Sequence, residues 1–320
     1  MSDDPKISVI MSVYNSEKYL GEAIDHILDQ TFPDFDFIIV NDSSTDNSLE
    51  IIQSYIDERI RIINNKRNMG LTKSLNKAIK QARGEYIARQ DADDISLPNR
   101  FEEQIRYLEK HPQVALLGTS VHRIDEYGEI FGKIKVLEKP VVKLFKGNQF
   151  NHGSVMFRKK VINELEAGYN ELFRYCQDYE LWLRIAKYYE IRNLTQVLYK
   201  LRLHQENVSF LRAKESALYH LLALRVAGDN LTEEMLRSIK DDGIMSLYSY
   251  LSRNEKIHFY KSIANVCMNN NALTAARLNY KEVFKLAPFD LKNVISVILS
   301  YLGKGVWTKA CKTYGIFRHS

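Results

Sequence analysis

A chain of 320 residues with 45% apolar and 27% charged residues is globular, with room for one large domain and an appendage, and is neither disordered nor fibrous. Its net charge of +5 is too small for a dedicated nucleic-acid binder, and three widely spaced cysteines, Cys176, Cys267 and Cys311, suit free thiols better than disulfides or zinc ligands. The acidic start lacks a signal-peptide pattern, and the longest apolar run, Val294 to Leu302, is about half of the ~20 residues that span a bilayer, so a cytoplasmic protein is expected.

In chain order, Ile7 to Val13 is a β-rich run, and Tyr19, Leu20, Ala23, Ile24, Ile27 and Leu28 follow at helical spacing. Phe35 to Val40 is nearly all apolar and ends in Asn41-Asp42-Ser43-Ser44-Thr45-Asp46, a cluster of turn and cap residues, before Leu49, Ile52 and Ile56 mark a second helix. A third strand at Ile60 to Ile63, a helix from Leu71 to Ala82 with Gly84 as its C-terminal cap, and a fourth strand at Tyr86 to Arg89 repeat the pattern. Apolar strands separated by helices imply a mostly parallel sheet covered on both faces, with ligands bound beyond the carboxyl ends of the strands. Tyr14, Asn15, Asp42, Arg67, Asp91, Asp93 and Asp94 all fall at those ends.

Beyond Pro98 the pattern predicts a helix through Phe101, Ile105 and Leu108, a strand from Val114 to Val121, a hairpin turn near Tyr127-Gly128, and a strand-rich stretch from His152 to Phe157. These add sheet around an acceptor site. From about Leu211 the pattern is helical, with Thr232 as an N-cap before Glu233 and Glu234, so residues 1–210 are expected as an α/β domain and 211–320 as a helical extension. His258 to Pro288 resembles one tetratricopeptide-type hairpin, although a plain helical appendage fits it too, because no second copy follows. After Asp290 no acid occurs, and Lys292, Lys304, Lys309, Lys312 and Arg318 alternate with apolar and aromatic residues. That composition suits peripheral contact with an anionic membrane, a homodimer interface or a basic surface helix.

The clustered acids carry the chemistry. Asp91-Ala92-Asp93-Asp94 follows an apolar strand with no Lys beside it, so its carboxylates repel one another unless a hard cation joins them. Mn2+ or Mg2+ suits a few carboxylates plus substrate phosphates; a solvated acidic turn capping the next helix is the alternative. Four runs then occur in order: Val9-Ile10-Met11-Ser12-Val13-Tyr14-Asn15, Ile39-Val40-Asn41-Asp42-Ser43-Ser44-Thr45-Asp46, Arg67-Asn68-Met69-Gly70-Leu71 and Asp91-Ala92-Asp93-Asp94. Together they resemble the family 2 glycosyltransferases of the GT-A fold, over roughly residues 5 to 210.

The resemblance implies a Rossmann-like α/β fold and inverting transfer of a sugar from a nucleotide diphosphate, usually uridine, to an acceptor hydroxyl, in the synthesis of bacterial surface polysaccharide. It implies that Tyr14 and Asn15, with the backbone at Ser12 and Val13, cradle base and ribose, where a plain strand-end turn is the alternative. By the same resemblance Asp42 accepts the imide hydrogen of the base, Asp46 caps the next helix, and Arg67 contacts the nucleotide or makes a surface ion pair. Asp91, with Ala92, faces the ribose or donor sugar, Asp93 holds the metal, and Asp94 either shares in donor binding or caps the next turn.

Inverting transfer also needs a base for the acceptor hydroxyl. The resemblance points to Asp178 in Cys176-Gln177-Asp178-Tyr179-Glu180-Leu181-Trp182, where Gln177 stands in place of the usual Glu and Glu180 is the reserve candidate. An acidic first turn favoured by the helix dipole is the competing explanation. Asn151-His152-Gly153-Ser154 resembles the strand entering the acceptor side, with His152 either touching substrate or packed. Arg202-Leu203-His204 resembles a tail element whose His approaches metal or diphosphate. The expected partners are a nucleotide-sugar donor and a saccharide or lipid-linked saccharide acceptor. A nucleotidyltransferase and a catalytically silent nucleotide-sugar scaffold are the rival readings.

Overall fold

The four β-rich runs become four parallel strands, β1 (Ile7–Val13), β2 (Phe35–Asn41), β3 (Ile60–Asn64) and β4 (Tyr86–Arg89), side by side in the order β3-β2-β1-β4. In this computed structural model, which describes residues 4–165, 168–203, 212–269 and 272–314, the chain divides into two units, Met1–His204 and Gln205–Ser320. Strands β1 and β2 are apolar almost throughout because helices cover both faces of the sheet. The connecting helices are α1 (Glu17–Leu28), α2 (Ser48–Ser54) and α3 (Leu71–Gln81).

Two local expectations are corrected. The second helix stops at Ser54, and Ile56, expected on its apolar face, is fully exposed. Tyr55 turns the chain out of the helix, its hydroxyl donating to the Gly21 carbonyl at 3.0 Å and to Asp25 at 2.8 Å. Gly84 is not a left-handed helix cap. A Cβ there would lie 2.5 Å from the Ser8 nitrogen, so glycine lets the chain pass hard against β1.

The second half of the unit adds β5 (Ile95–Ser96), α4 (Arg100–Lys110), β6 (Val114–Ile124), β7 (Ile130–Ile134), α5 (Val141–Leu144), β8 (Met156–Arg158), α6 (Lys159–Glu164), α7 (Gln177–Ala186) and β9 (Glu190–Arg202). Strand β8 joins the two halves, antiparallel to β4 on one side and to β6 on the other. Strand β9 then runs parallel to β6 and antiparallel to the short β5. The expected hairpin joins β6 to β7, with Asp125 Oδ1 accepting from the nitrogens of Tyr127 and Glu129 and Gly128 at a φ of 88°. His152–Ser154, expected as strand, is a 3-10 turn, and the strand begins only at Met156.

The second unit is helical: Ala213–Ala227, Glu233–Asp242, Arg253–Asn269, Leu273–Leu286, Leu291–Tyr301 and Lys304–Tyr314. Thr232 caps as expected, its hydroxyl accepting from Met235 N at 3.2 Å. The helix Leu291–Tyr301 is inverted: Asn293, Ser296 and Ser300 are buried, and Leu291, Ile298 and Tyr301 are exposed together with Leu302. The serines satisfy their hydroxyls on the helix itself, each donating at 2.6 Å, to the carbonyls of Lys292 and Val297. No described helix is long and apolar enough to cross a membrane.

Candidate active site

Each parallel strand ends at one rim of the sheet, and the chain reverses there in conformations that only a few residue types tolerate. Asn15, after β1, has a φ of 50°, and Ser43, after β2, a φ of 63°. The two turns are stitched together: Asn15 N donates to Ser44 Oγ at 3.1 Å, and Asn15 Oδ1 accepts from Thr45 N at 2.8 Å. Tyr14 is left exposed, Ser12 half-buried and Val13 buried. Asp46 accepts from Ser48 N and from Glu17 N, each at 3.0 Å, so it caps α1 as well as α2.

Asp42 is buried and heavily engaged. Its Oδ1 accepts from Asn65 Nδ2 at 2.7 Å and from Met69 N at 2.8 Å, and its Oδ2 accepts from Gly70 N at 2.8 Å. A carboxylate offers about four acceptor positions, so one remains for a ligand, and the others shape the loop carrying Arg67, which is exposed.

The acid turn alternates. Asp91 and Asp93 are half-open, whereas Ala92 and Asp94 are buried. Arg89 Nη2 donates to Asp91 Oδ1 at 2.5 Å from a fully buried guanidinium whose Nε and Nη1 have no partner among the described residues. Burial opposes the charge on Arg89, but Asp91 and the neighbouring tyrosines and Asp94 hold its pKa above the ordinary value. Gln90 Nε2 donates to the carbonyls of Asp91 at 3.0 Å and Asp94 at 2.9 Å, while its Oε1 accepts from Ser96 at 2.7 Å. Buried Arg100 completes this brace, donating to Ser96 Oγ at 2.7 Å and to the Arg89 carbonyl at 2.8 Å.

Two expected ligand contacts prove internal. Asp94 is buried, and its Oδ1 accepts from Arg202 N at 2.7 Å; burial, then the charges of Asp93 and Asp91, raise its pKa well above the carboxylate range. Arg202, which opens the tail motif as a candidate for acceptor or diphosphate contact, spends its guanidinium inside the unit. Nη2 donates to Glu22 at 2.5 Å, Nε to the Asp93 carbonyl at 2.9 Å and Nη1 to the Asp125 carbonyl at 3.2 Å, with Tyr19 stacked 4.4 Å away. Both residues set the shape of the acid turn. His204 lies outside the described residues.

The 3-10 turn His152–Ser154 closes on the same acids. A Cβ on Gly153 would lie 2.7 Å from Asp91 Oδ2 and still closer to the Tyr199 hydroxyl, so the 3-10 turn presses its backbone against Asp91. His152 is packed: its Nε2 meets the Tyr169 hydroxyl at 2.8 Å, and the rings of Tyr169 and Trp182 lie edge-on to it. Burial, reinforced by Arg89, lowers its pKa and keeps it neutral. Asp178 lies in the first turn of α7, half-open, accepting from Asn148 Nδ2 at 2.7 Å. Gln177 is buried beside it, and the preceding Cys176 takes a φ of 57°. Glu180, the reserve candidate, is buried and held bidentately by Arg184 at 3.0 and 2.8 Å, which removes it as a base.

The Gly153 backbone lies against Asp91, and Asp178 opens the helix whose Trp182 packs edge-on to His152. The acid turn and Asp178 therefore flank one aromatic wall. Among the described residues no three His, Cys, Asp or Glu side chains form a metal-binding group. Two half-open carboxylates, Asp91 and Asp93, are a donor set of hard oxygens that fits a divalent ion sharing its shell with substrate phosphates. Arg89, Gln90, Arg100, Asn148, Tyr169 and Tyr199 escaped sequence reasoning. Only Arg89 left a local trace, as a charge closing an apolar strand.

Comparison with known proteins gives these features a frame. The family model described as glycosyl transferase family 2 matches residues 8–166. The putative glycosyltransferase EpsE of Bacillus subtilis is 39% identical over 208 residues, covering 63% of this chain and 74% of that protein. The O-antigen biosynthesis glycosyltransferase WbnJ of Escherichia coli is 35% identical over 226 residues, covering 67% and 87%. Among solved structures, S. aureus TarS 1-349 in complex with UDP-GlcNAc superposes with a TM-score of 0.58 at 19% identity, covering 98% of this chain and 93% of that one. At that identity the likeness carries the fold.

Proposed function

The chain belongs to glycosyl transferase family 2 and is a glycosyltransferase of the GT-A fold, and from that premise we propose that it moves a sugar, with inversion, from a uridine-diphosphate donor to an acceptor hydroxyl. The carrying observation is that the acid turn lies against the 3-10 turn holding His152, while Asp178 opens the helix whose Trp182 packs on that same histidine. The uridine lies across the ends of β1 and β2, over Tyr14 and Asn15, with its imide hydrogen on the remaining Oδ2 position of Asp42 and its phosphates within reach of Arg67. Asp91 and Asp93 would hold Mn2+ or Mg2+, which when bound offsets the charge of the departing diphosphate.

Asp178 accepts the proton of the acceptor hydroxyl as that oxygen bonds to the anomeric carbon. The carbon–oxygen bond to the diphosphate breaks on the opposite face, its electron pair leaving with the nucleotide. Asn148 fixes the carboxylate for this step. The UDP-GlcNAc held by TarS supports the uridine donor, and the role of WbnJ in O-antigen biosynthesis supports a polysaccharide acceptor. A nucleotidyltransferase is set aside by the family.

The test is a panel of nucleotide sugars with Mn2+ or Mg2+, read as released nucleotide diphosphate. Asp93→Ala is expected to lower turnover about 10²-fold and to abolish stimulation by metal. Metal-independent turnover that Asp93→Ala leaves intact defeats the reading.

The inverted helix supports a membrane contact. Leu291, Ile298, Tyr301 and Leu302 face outward in a segment without acids, beside exposed Lys292 and Lys304, the composition of an interfacial surface on anionic lipid. Burying two aliphatic side chains is worth roughly 3 kcal/mol. Ile298→Ser with Leu302→Ser is therefore expected to release the protein from phosphatidylglycerol vesicles in a sedimentation assay; sedimentation equal to that of the unaltered chain refutes the contact.

A further inference from the structure

Asp42 is held from helix α3 by a side-chain relay that ends on Lys77. Ser74 and Lys77, three positions apart, share one face of α3. Asn65 stands between them and Asp42 with both ends of its amide committed. Its Nδ2 donates to Asp42 Oδ1 at 2.7 Å and to Ser74 Oγ at 3.0 Å, and its Oδ1 accepts from Lys77 Nζ at 2.8 Å. Asp42, Asn65 and Ser74 are buried, and Lys77 is half-buried. Turning the amide over would set its oxygen against the carboxylate and its N–H groups against the ammonium. Lys77 therefore fixes which atom of Asn65 meets Asp42.

The relay limits what Asp42 can still accept. Asn65 Nδ2 and Met69 N occupy Oδ1, and Gly70 N occupies one position on Oδ2, so of about four acceptor positions one is left, on a carboxylate whose plane is fixed. A base edge that offers a single N–H fits that position; an edge with two adjacent N–H groups leaves one of them unpaired. Uracil presents the single imide N–H, whereas guanine presents its ring N–H and its exocyclic amine side by side. We propose that Asn65, oriented by Lys77, is a positioning residue that makes Asp42 select uracil over guanine. This deepens the sugar-transfer reading and rests on its placement of the base at Asp42.

The test is calorimetric titration of UDP, and separately of GDP, into the full chain with saturating Mn2+. The two ligands carry the same ribose and diphosphate, so their affinity ratio reports the base alone, and a lost charge that weakens phosphate binding cancels from it. The unaltered chain is expected to bind UDP at least about tenfold more tightly than GDP. Asn65→Ala is expected to narrow that ratio at least about fivefold, by weakening UDP and sparing GDP. Lys77→Met, at a half-buried position, is expected to narrow it about threefold, and Lys77→Arg, which can still donate to Asn65 Oδ1, to restore it. The proposal is overturned if UDP and GDP weaken in parallel in both variants, the mark of a merely structural role. It is equally overturned if neither variant moves the ratio, or if the unaltered chain binds GDP as tightly as UDP. Turnover of a UDP-sugar with the ratio unmoved sinks the base selection and spares the transfer reading. The expected ratios in a chain that turns over no nucleotide sugar support the selection and sink only the transfer reading.

Discussion

With Asp178 as the proposed base, Asp178→Asn is expected to lower sugar transfer about 10³-fold while UDP binds as before. The substitution keeps the shape of the side chain and can keep the Asn148 hydrogen bond, since an amide oxygen still accepts from Asn148 Nδ2. What it removes is the ability to take up a proton. Asp178 is half-open at the start of α7, so the fold loses little, and the loss falls on the rate of transfer. The nearest other carboxylate on the helix, Glu180, cannot substitute, because Arg184 holds both of its oxygens. Steady-state transfer at saturating donor, paired with calorimetry of UDP, separates the two effects. Transfer within tenfold of the unaltered chain would move the base elsewhere.

Arg202→Met is expected to cost about 3 kcal/mol of stability and, on the proposed donor site, to weaken metal-dependent UDP binding at the same time. The methionine fills much of the buried volume, but the donors to Glu22, to the Asp93 carbonyl and to the Asp125 carbonyl are lost together. The first ties the turn to α1, the second holds the backbone of Asp93, and the third anchors the β6–β7 hairpin. Denaturant unfolding reads the stability. UDP affinity with and without Mn2+, at a temperature where the variant is folded, reads the turn. Arg202→Lys retains the charge without the forked geometry and should fall between the two. If the Met variant unfolds like the unaltered chain and binds UDP with the same metal dependence, the bracing role is wrong.

These two residues sit on opposite sides of what a sequence makes legible. Asp178 stands in a helical first turn whose neighbours Leu181, Trp182 and Ile185 are spaced for burial, so its placement follows from local periodicity. The strand-end positions of Tyr14, Asn15, Asp42 and Asp93 are legible for the same reason. Arg202 reads locally as a basic residue in a loop motif. Its environment is made by Glu22, 180 positions away, and by Asp93, 109 positions away. His152 is similar: nothing beside it in the chain announces Tyr169 and Trp182 as its walls. Gly84 shows the error in miniature, because a glycine after a helix suggests a cap, whereas the cause is the backbone of β1.

By itself the sequence determined the run of four βα units, the rim where they end and the acids on it, because strand, helix and turn preferences act between residues only a few positions apart. Tertiary structure alone decided which of those polar groups stay open and which are buried. Asp91 and Asp93 stay half-open while Asp94 and Arg202 turn inward, since burial and hydrogen-bond satisfaction depend on partners that meet only when β5, β9 and the hairpin close around the turn.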